Sequence, residues 1–161
     1  MGNRLSLKER AAKNDSLFPI GVETLVTSST KAFNLLRTMR ILLIEDNDIN
    51  RQLLSDYLNY LGYQVLALPD GDNLFPALSE FKPQLILLDL KLPGIDGYTI
   101  LEQIQQSSHW HDTPVIVVSA FAFKADQERA MNLGAKRYFV KPVKLPQLNQ
   151  AIQEELNIGS G

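Results

Sequence analysis

Five residues able to do chemistry each lie at the end of a short apolar run. Glu45 and Asp46 follow one run, Asp89 follows a second, Ser119 ends a third and Lys141 follows a fourth. Three carboxylates brought together repel one another, so one of them takes up a proton unless a cation lies among them. A hard divalent ion with oxygen ligands, Mg²⁺ above all, suits such a set. An ammonium and a hydroxyl beside a metal-bound carboxylate could then hold the oxygens of a phosphoryl group arriving there.

Each of these residues, taken alone, has an ordinary explanation. An Asp or Ser at a strand end is usually a turn former or a helix cap, and a Lys is usually solvated. The inference rests on the joint placement, because four separate strand ends each supply a residue type that phosphoryl transfer needs.

The elements that must position these residues alternate regularly from Arg40 onward. Short apolar runs predict buried strands, and apolar residues three and four apart predict amphipathic helices between them. We predict strands at 40–44, 64–67, 85–88, 115–118 and 138–140, and helices at 49–61, 74–81, 98–106, 124–133 and 145–156. In the first helix the periodic apolar residues are Ile49, Leu53, Leu54, Tyr57, Leu58 and Leu61.

Strands that are apolar on both faces and joined by helices predict a parallel sheet that is covered on both sides. The fold class is therefore α/β, a doubly wound five-stranded parallel sheet with helices on both faces. In such sheets ligands bind outside the carboxyl ends of the strands, where the winding direction switches. The five residues are expected at that edge.

The composition limits the classes of protein to consider. The chain has 161 residues, a formal net charge of −2 and no cysteine, which predicts a single main domain without disulfides or thiolate metal sites. Its apolar runs are too short to cross a bilayer and its start lacks the pattern of a secretory signal, so we expect a cytoplasmic protein without membrane insertion. The slightly acidic balance argues against nucleic acid as a partner.

Residues 1–38 differ from the rest of the chain. They carry six Lys or Arg against three Asp or Glu and only short apolar patches, so we expect a basic extension that is flexible or docked. Met39 directly precedes the first strand, which leaves open that translation starts there. The compact domain is predicted at 39–156, and a flexible tail at 157–161.

Four segments carry a more specific signal. Residues 44–46, 88–97, 118–120 and 134–142 read IED, LDLKLPGIDG, VSA and GAKRYFVKP. In this combination they resemble the receiver domain of two-component response regulators, which has the flavodoxin-like fold of CheY. Asn47, Asn50 and Arg51 resemble the same positions of DivK-like and hybrid-kinase receivers.

The resemblance implies which residues take up phosphate and metal. Asp89 would be the phosphoacceptor. Mg²⁺ would be held by Asp46, Asp89 and the backbone carbonyl of Lys91, and Glu45 would help through water. Glu45 is one methylene longer than the Asp that is commoner there.

The resemblance also implies how the phosphoryl group is held and sensed. Ser119, in place of the commoner Thr, and Lys141 would bind the phosphoryl oxygens. Tyr138 would be the aromatic switch residue, and the Lys141–Pro142 peptide is expected to be cis.

The implied function is that of a signalling protein, which catalyses only its own phosphorylation and dephosphorylation and is otherwise no enzyme. A histidine kinase would donate the phosphoryl group, and a histidine phosphotransfer protein could receive it in turn. Because the chain holds no segment long enough for an output domain, we expect a stand-alone receiver. Lys91 and Phe121 are both bulky and are expected to shield the aspartyl phosphate from water, which favours a relay role.

Three alternatives remain open from the sequence. The chain could be a receiver derived from a hybrid histidine kinase. It could be a docking module that works without phosphorylation, although it keeps every acid and the Lys. It could also be a haloacid-dehalogenase-like phosphatase that uses Asp46 as its nucleophile, because Asp46-x-Asp48 follows an apolar strand.

Overall fold

Five apolar segments form one parallel sheet in the order β2-β1-β3-β4-β5. This computed structural model describes residues 39–158, so the predicted extension at 1–38 and the last three residues of the predicted tail lie outside the described residues. The strands are β1 Arg40–Ile44, β2 Gln64–Leu68, β3 Leu85–Leu88, β4 Val115–Ser119 and β5 Arg137–Val140. The helices between and after them are α1 Asp48–Tyr60, α2 Leu74–Phe81, α3 Gly97–Gln106, α4 Lys124–Asn132 and α5 Leu145–Glu155.

The predicted fold class is confirmed, and every predicted element is present within one residue of its expected ends. From β1 the chain passes to β2, which lies on one side of β1. It then returns to β3, which lies on the other side of β1. The winding therefore reverses between β1 and β3, and the carboxyl ends of these two strands border the crevice where ligands bind in such folds.

Successive residues of β1 supply two different cores, because side chains alternate across a strand. Leu42 and Ile44 pack in a cluster with apolar residues of α2, α3 and α4. Ile41 and Leu43 pack in a second cluster with residues of α1 and α5. All four side chains are almost fully buried. This double burial fixes the strand in register, and with it the place where the strand ends.

The periodicity of α1 is only partly used for packing. Leu54 and Leu58 are buried against the sheet, but Ile49 and Leu53 are 78% and 54% exposed. The apolar series of α1 therefore covers the sheet only in part. Ile49 lies in the first turn of the helix, near the carboxyl edge of the sheet, so its side chain is not covered by the strands.

Candidate functional site

Glu45, Asp46 and Asp89 come together because β1 and β3 are neighbours in register. Ile44 pairs with Leu88, and the amide of Asp89 donates to the Ile44 carbonyl at 3.0 Å. The three acids follow these strands directly, and each offers a carboxylate oxygen within 4.8 Å of the other two. Glu45 and Asp89 are buried, with 1% and 4% of their surface exposed, whereas Asp46 is exposed.

Lys141 joins two of these acids. Its Nζ lies 2.6 Å from Oε2 of Glu45 and 2.7 Å from Oδ2 of Asp89. The backbone of Lys141 is held as well, because its amide donates to the carbonyl of Ser119 at 2.8 Å. The long side chain thus reaches from the end of β5 across β4 to the acids that follow β1 and β3.

Burial acts in opposite senses on the two partners of this ion pair. It raises the pKa of Glu45, and the hydrogen bonds from Lys141 and from the Asn47 amide offset only part of that effect. Burial lowers the pKa of Lys141, but the hydrogen bonds to Asp89 and Glu45 outweigh it and leave the pKa above its ordinary value. The ammonium is therefore held in its charged form beside Asp89.

Asp89 is held through both carboxylate oxygens. Oδ2 accepts from Lys141, and Oδ1 accepts from the amide of Lys91 at 3.1 Å. Ser119 ends β4, the strand next to β3, and is fully buried. Its Oγ accepts from the amide of Phe121 at 3.2 Å, and its hydroxyl also contacts the hydroxyl of Tyr138.

The donor set suits a divalent metal ion. Carboxylate oxygens are the ligands that Mg²⁺ prefers, and when all four groups are ionised, three carboxylates and one ammonium leave two net negative charges. Asp48 does not belong to this set, since its side chain is 88% exposed and pairs with Arg51. The residues present therefore fit Mg²⁺.

Gly97 lets α3 begin directly against the backbone of Asp89. A Cβ at this position would lie 2.5 Å from the Asp89 carbonyl oxygen and 2.5 Å from Cα of Leu90. The amide of Gly97 donates to the Leu90 carbonyl at 2.9 Å. Sequence reasoning gave Gly97 no role, although its place at the end of the LDLKLPGIDG segment was a usable signal.

Tyr138 lies on β5 with its ring packed against the core on the α3 and α4 side of the sheet. Its hydroxyl donates to the carbonyl of Phe121 in the loop that follows Ser119. The peptide between Lys141 and Pro142 is cis, which confirms the expectation.

An apolar cleft lies beside Lys141. It has a volume of about 410 Å³, and its lining includes Leu53, Val118, Pro142 and Val143. Leu53 is one of the two exposed apolar side chains of α1. The buried charges of the site thus border a surface where apolar side chains contact solvent.

Within residues 39–158 none of the helices combines the length and the hydropathy that a membrane span requires. The site residues predicted from the sequence lie close together. The carboxylates of Glu45, Asp46 and Asp89 lie within 4.8 Å of one another, and Lys141 pairs with Glu45 and Asp89. Ser119 lies on β4 and Tyr138 on the neighbouring strand β5.

Comparison with known proteins places this geometry in a family. The response regulator receiver domain family matches residues 41–153. The polar-differentiation response regulator DivK of Brucella anthropi is 31% identical over 116 residues, which cover 72% of this chain and 94% of that protein. DivK of Brucella ovis is likewise 31% identical, over 74% of this chain and 97% of its own length.

Solved structures agree with this assignment. The receiver domain of the sensor histidine kinase PA1611 from Pseudomonas aeruginosa, which has a magnesium ion coordinated in its active site cleft, is 30% identical with a TM-score of 0.68. The alignment covers 74% of this chain and 98% of that one. The signal receiver domain of a histidine kinase from Syntrophus aciditrophicus is 27% identical with a TM-score of 0.69, over 74% and 90% of the two chains. The chain therefore belongs to the response regulator receiver family and carries a receiver domain of two-component signalling.

Proposed function

We propose that Asp89 accepts a phosphoryl group from the phosphohistidine of a histidine kinase. Receiver domains are signalling domains that accept phosphoryl groups from such kinases, and this chain shares the family's fold. The observation that carries the proposal is the position of Lys141, whose ammonium contacts Asp89 and Glu45 together. A buried carboxylate with a fixed ammonium at its side is prepared to receive an anionic group.

The transfer needs little chemistry beyond positioning. An oxygen of Asp89 attacks phosphorus, the bond from phosphorus to the histidine nitrogen breaks, and its electron pair returns to the imidazole. Each Asp89 oxygen accepts one hydrogen bond and keeps a further lone pair for this attack. The Lys141 ammonium and the Ser119 hydroxyl then bind the oxygens that arrive with phosphorus.

Mg²⁺ at the acidic cluster would offset the charge that builds up between the phosphoryl group and the carboxylates. Asp46 and Asp89 would hold it, with the backbone carbonyl of Lys91 as a third ligand. The two buried oxygens of Glu45 are engaged by Lys141 and by the Asn47 amide. Glu45 would therefore contact the metal through water rather than directly.

The donor must approach from the open carboxyl edge of the sheet, where Asp89 lies. Ile49, Leu53 and Phe123 expose large apolar side chains on the elements around that edge. We propose that the donor carries its histidine within an apolar surface that covers these side chains. Covering them also excludes water from the transferred group.

The chain acts in our proposal as a stand-alone receiver with its domain at 39–156, located in the cytoplasm, where kinases draw on ATP. It passes its phosphoryl group to a histidine phosphotransfer protein or alters its affinity for a partner. A receiver derived from a hybrid histidine kinase is the second candidate, favoured by the similarity to the PA1611 receiver. The haloacid-dehalogenase-like alternative receives no support from the family match or from the exposed, ion-paired Asp48.

The test is phosphorylation of the full chain by acetyl phosphate with Mg²⁺, followed by mass measurement and by transfer from autophosphorylated histidine kinases. Asp89→Asn should abolish the added phosphate. Asp72→Asn, at an exposed acid in the turn after β2, is the matched control and should be labelled like the unmodified chain. Equal labelling of Asp89→Asn would overturn the assignment.

A further inference from the structure

Arg51 binds the backbone carbonyls of the two consecutive acids, Glu45 and Asp46. Its Nη1 donates to the carbonyl of Glu45 at 2.9 Å and to the carbonyl of Asp46 at 3.2 Å. Its Nη2 pairs with Asp48 in the first turn of α1, and its side chain is only 21% exposed. One guanidinium thus holds two successive peptide groups of the loop between β1 and α1.

The same loop is held at further points by Asn47. Its amide donates to Oε1 of Glu45 at 3.0 Å, and its side chain caps α1 by accepting from the Asn50 amide at 2.9 Å. The amide of Arg51 donates back to the Asn47 carbonyl at 2.8 Å. The segment 45–47 is therefore fixed from both sides, by the end of β1 and by the start of α1.

Fixing this backbone matters most for Asp46. Glu45 and Asp89 are buried, and both pair with Lys141. Asp46 is exposed, so packing does not determine where its carboxylate points. The direction of its Cα–Cβ bond follows from the two peptide groups that flank it, and Arg51 binds the carbonyls of both.

We propose that Arg51 is a positioning residue that holds Asp46 in the direction needed to bind Mg²⁺. The inference rests on the proposed function, since it concerns the metal site of the phosphoryl acceptor. It gives Asn47 and Arg51 a physical task, since the Asn47 side chain caps the helix turn from which Arg51 reaches back, whereas Asn50 takes part through its backbone amide.

When Arg51 is replaced, the inference predicts weaker Mg²⁺ binding, whereas electrostatics alone predicts tighter binding. A guanidinium near a cation site repels the cation, so removing its charge alone would tighten Mg²⁺ binding. Losing the two carbonyl contacts leaves Asp46 free to turn away and weakens binding. Groups that orient a metal ligand without touching the metal typically contribute about 10–100-fold to affinity, and we expect about tenfold here, because Glu45 and Asp89 stay in place.

The test is isothermal titration of the full chain with MgCl₂, beside Arg51→Ala and Arg51→Lys. Arg51→Lys keeps the charge but replaces the planar fork with a single ammonium. Both variants should bind Mg²⁺ more weakly, with Arg51→Ala the weaker of the two. Arg137→Ala is the matched control, because it removes the same charge from the start of β5, at the opposite edge of the sheet.

The outcomes separate this inference from the proposed function. If the unmodified chain binds Mg²⁺ and Arg51→Ala binds it equally well or more tightly, the positioning role is overturned and the metal site stands. If the unmodified chain does not bind Mg²⁺, the metal site and the positioning role both fall. Urea denaturation of each variant verifies folding, and Arg51→Lys alone decides the matter if Arg51→Ala does not fold, since an unchanged dissociation constant there overturns the role.

Discussion

The hydroxyl of Tyr138 donates a hydrogen bond to the carbonyl of Phe121 at 2.7 Å. This bond ties β5 to the loop after Ser119, whose Oγ in turn accepts from the Phe121 amide. Phe121 is therefore held by two hydrogen bonds. Its amide donates to Ser119, and its carbonyl accepts from Tyr138. A change in the Ser119 hydroxyl can therefore reach Tyr138 through the backbone of a single residue, and also through the direct contact between the two hydroxyls.

We expect Ser119→Ala to accept beryllofluoride, a phosphoryl mimic, while losing the shifts that the mimic causes in the amide resonances of β5. The reason is that the hydroxyl supplies the contact that differs between the two states. Tyr138→Phe should behave in the same way, because it removes the bond to Phe121. The measurement is an amide spectrum with and without the mimic, and full-sized β5 shifts in both variants would contradict the coupling.

Asp46→Ala should lower the affinity for Mg²⁺ by at least about 100-fold, more than the loss of a group that only orients a ligand. The exposed carboxylate is the part of the cluster that Lys141 does not neutralise. Titration calorimetry measures the loss, and Asp72→Ala provides a control in which an exposed acid is removed from the turn after β2. Equal affinity in the two variants would argue against a ligand role for Asp46.

Lys91→Asn should shorten the lifetime of the phosphorylated protein several-fold. Lys91 is exposed two residues after Asp89, so its long stem can cover the phosphoryl group from the solvent side. Phe121→Ala should have a smaller effect, because the Phe121 ring packs partly against the core. The measurement is the dephosphorylation rate, and rates that do not rise in either variant would remove the support for a relay role.

Gly97→Ala should destabilise the domain by about 1–3 kcal/mol, since the added methyl group would overlap the backbone of Asp89 and Leu90. Gly71→Ala is the comparison variant, because a Cβ there would lie 2.5 Å from Cδ1 and 3.2 Å from Cγ1 of Ile100, so it meets side-chain atoms rather than backbone. Urea denaturation measures both variants. A smaller loss in Gly97→Ala than in Gly71→Ala would contradict the close approach as the cause.

Alkaline pH should destabilise the fold through Tyr63. Burial raises the pKa of Tyr63 from 10.0 to about 12, and its hydroxyl donates to Oδ1 of Asn149 at 3.1 Å. The folded state therefore keeps a proton that the unfolded state loses, so this contribution is present below pH 10 and is lost between pH 10 and 12. Urea denaturation across this range should show a shallower decline for Tyr63→Phe than for the unmodified chain, and equal slopes would exclude Tyr63 as a cause.

The strands could be predicted closely because burial on both faces leaves an uninterrupted apolar run with polar residues at its ends. β1 and β3 have the predicted bounds, and their ends place Glu45, Asp46 and Asp89 at one edge. The exposure of Ile49 and Leu53 could not be predicted in this way. Helical periodicity shows which residues share a face, but not where along the helix that face leaves the sheet.

It was harder to predict which groups contact one another at the site than to predict which residues lie there. The roles expected for Glu45 and Lys91 concern the metal, yet the structure engages Glu45 directly with Lys141 and the Lys91 amide with Asp89. The extra methylene of Glu45 over Asp was a signal for the longer reach. The two carbonyl contacts of Arg51 had no counterpart in the pattern, because residue types do not reveal which backbone groups a guanidinium will bind.

Lys141 and Glu45 are separated by 96 positions, and β5, which precedes Lys141, is the last of the five sheet strands along residues 39–158. Ribosomes make the amino-terminal part first. A nascent chain that has reached β4 holds the acids and Ser119, but their ammonium has not yet been synthesised. In the proposed function, the receiver therefore gains its full capacity for phosphate only after Lys141 has been synthesised, and chains that stop before β5 compete poorly for the kinase.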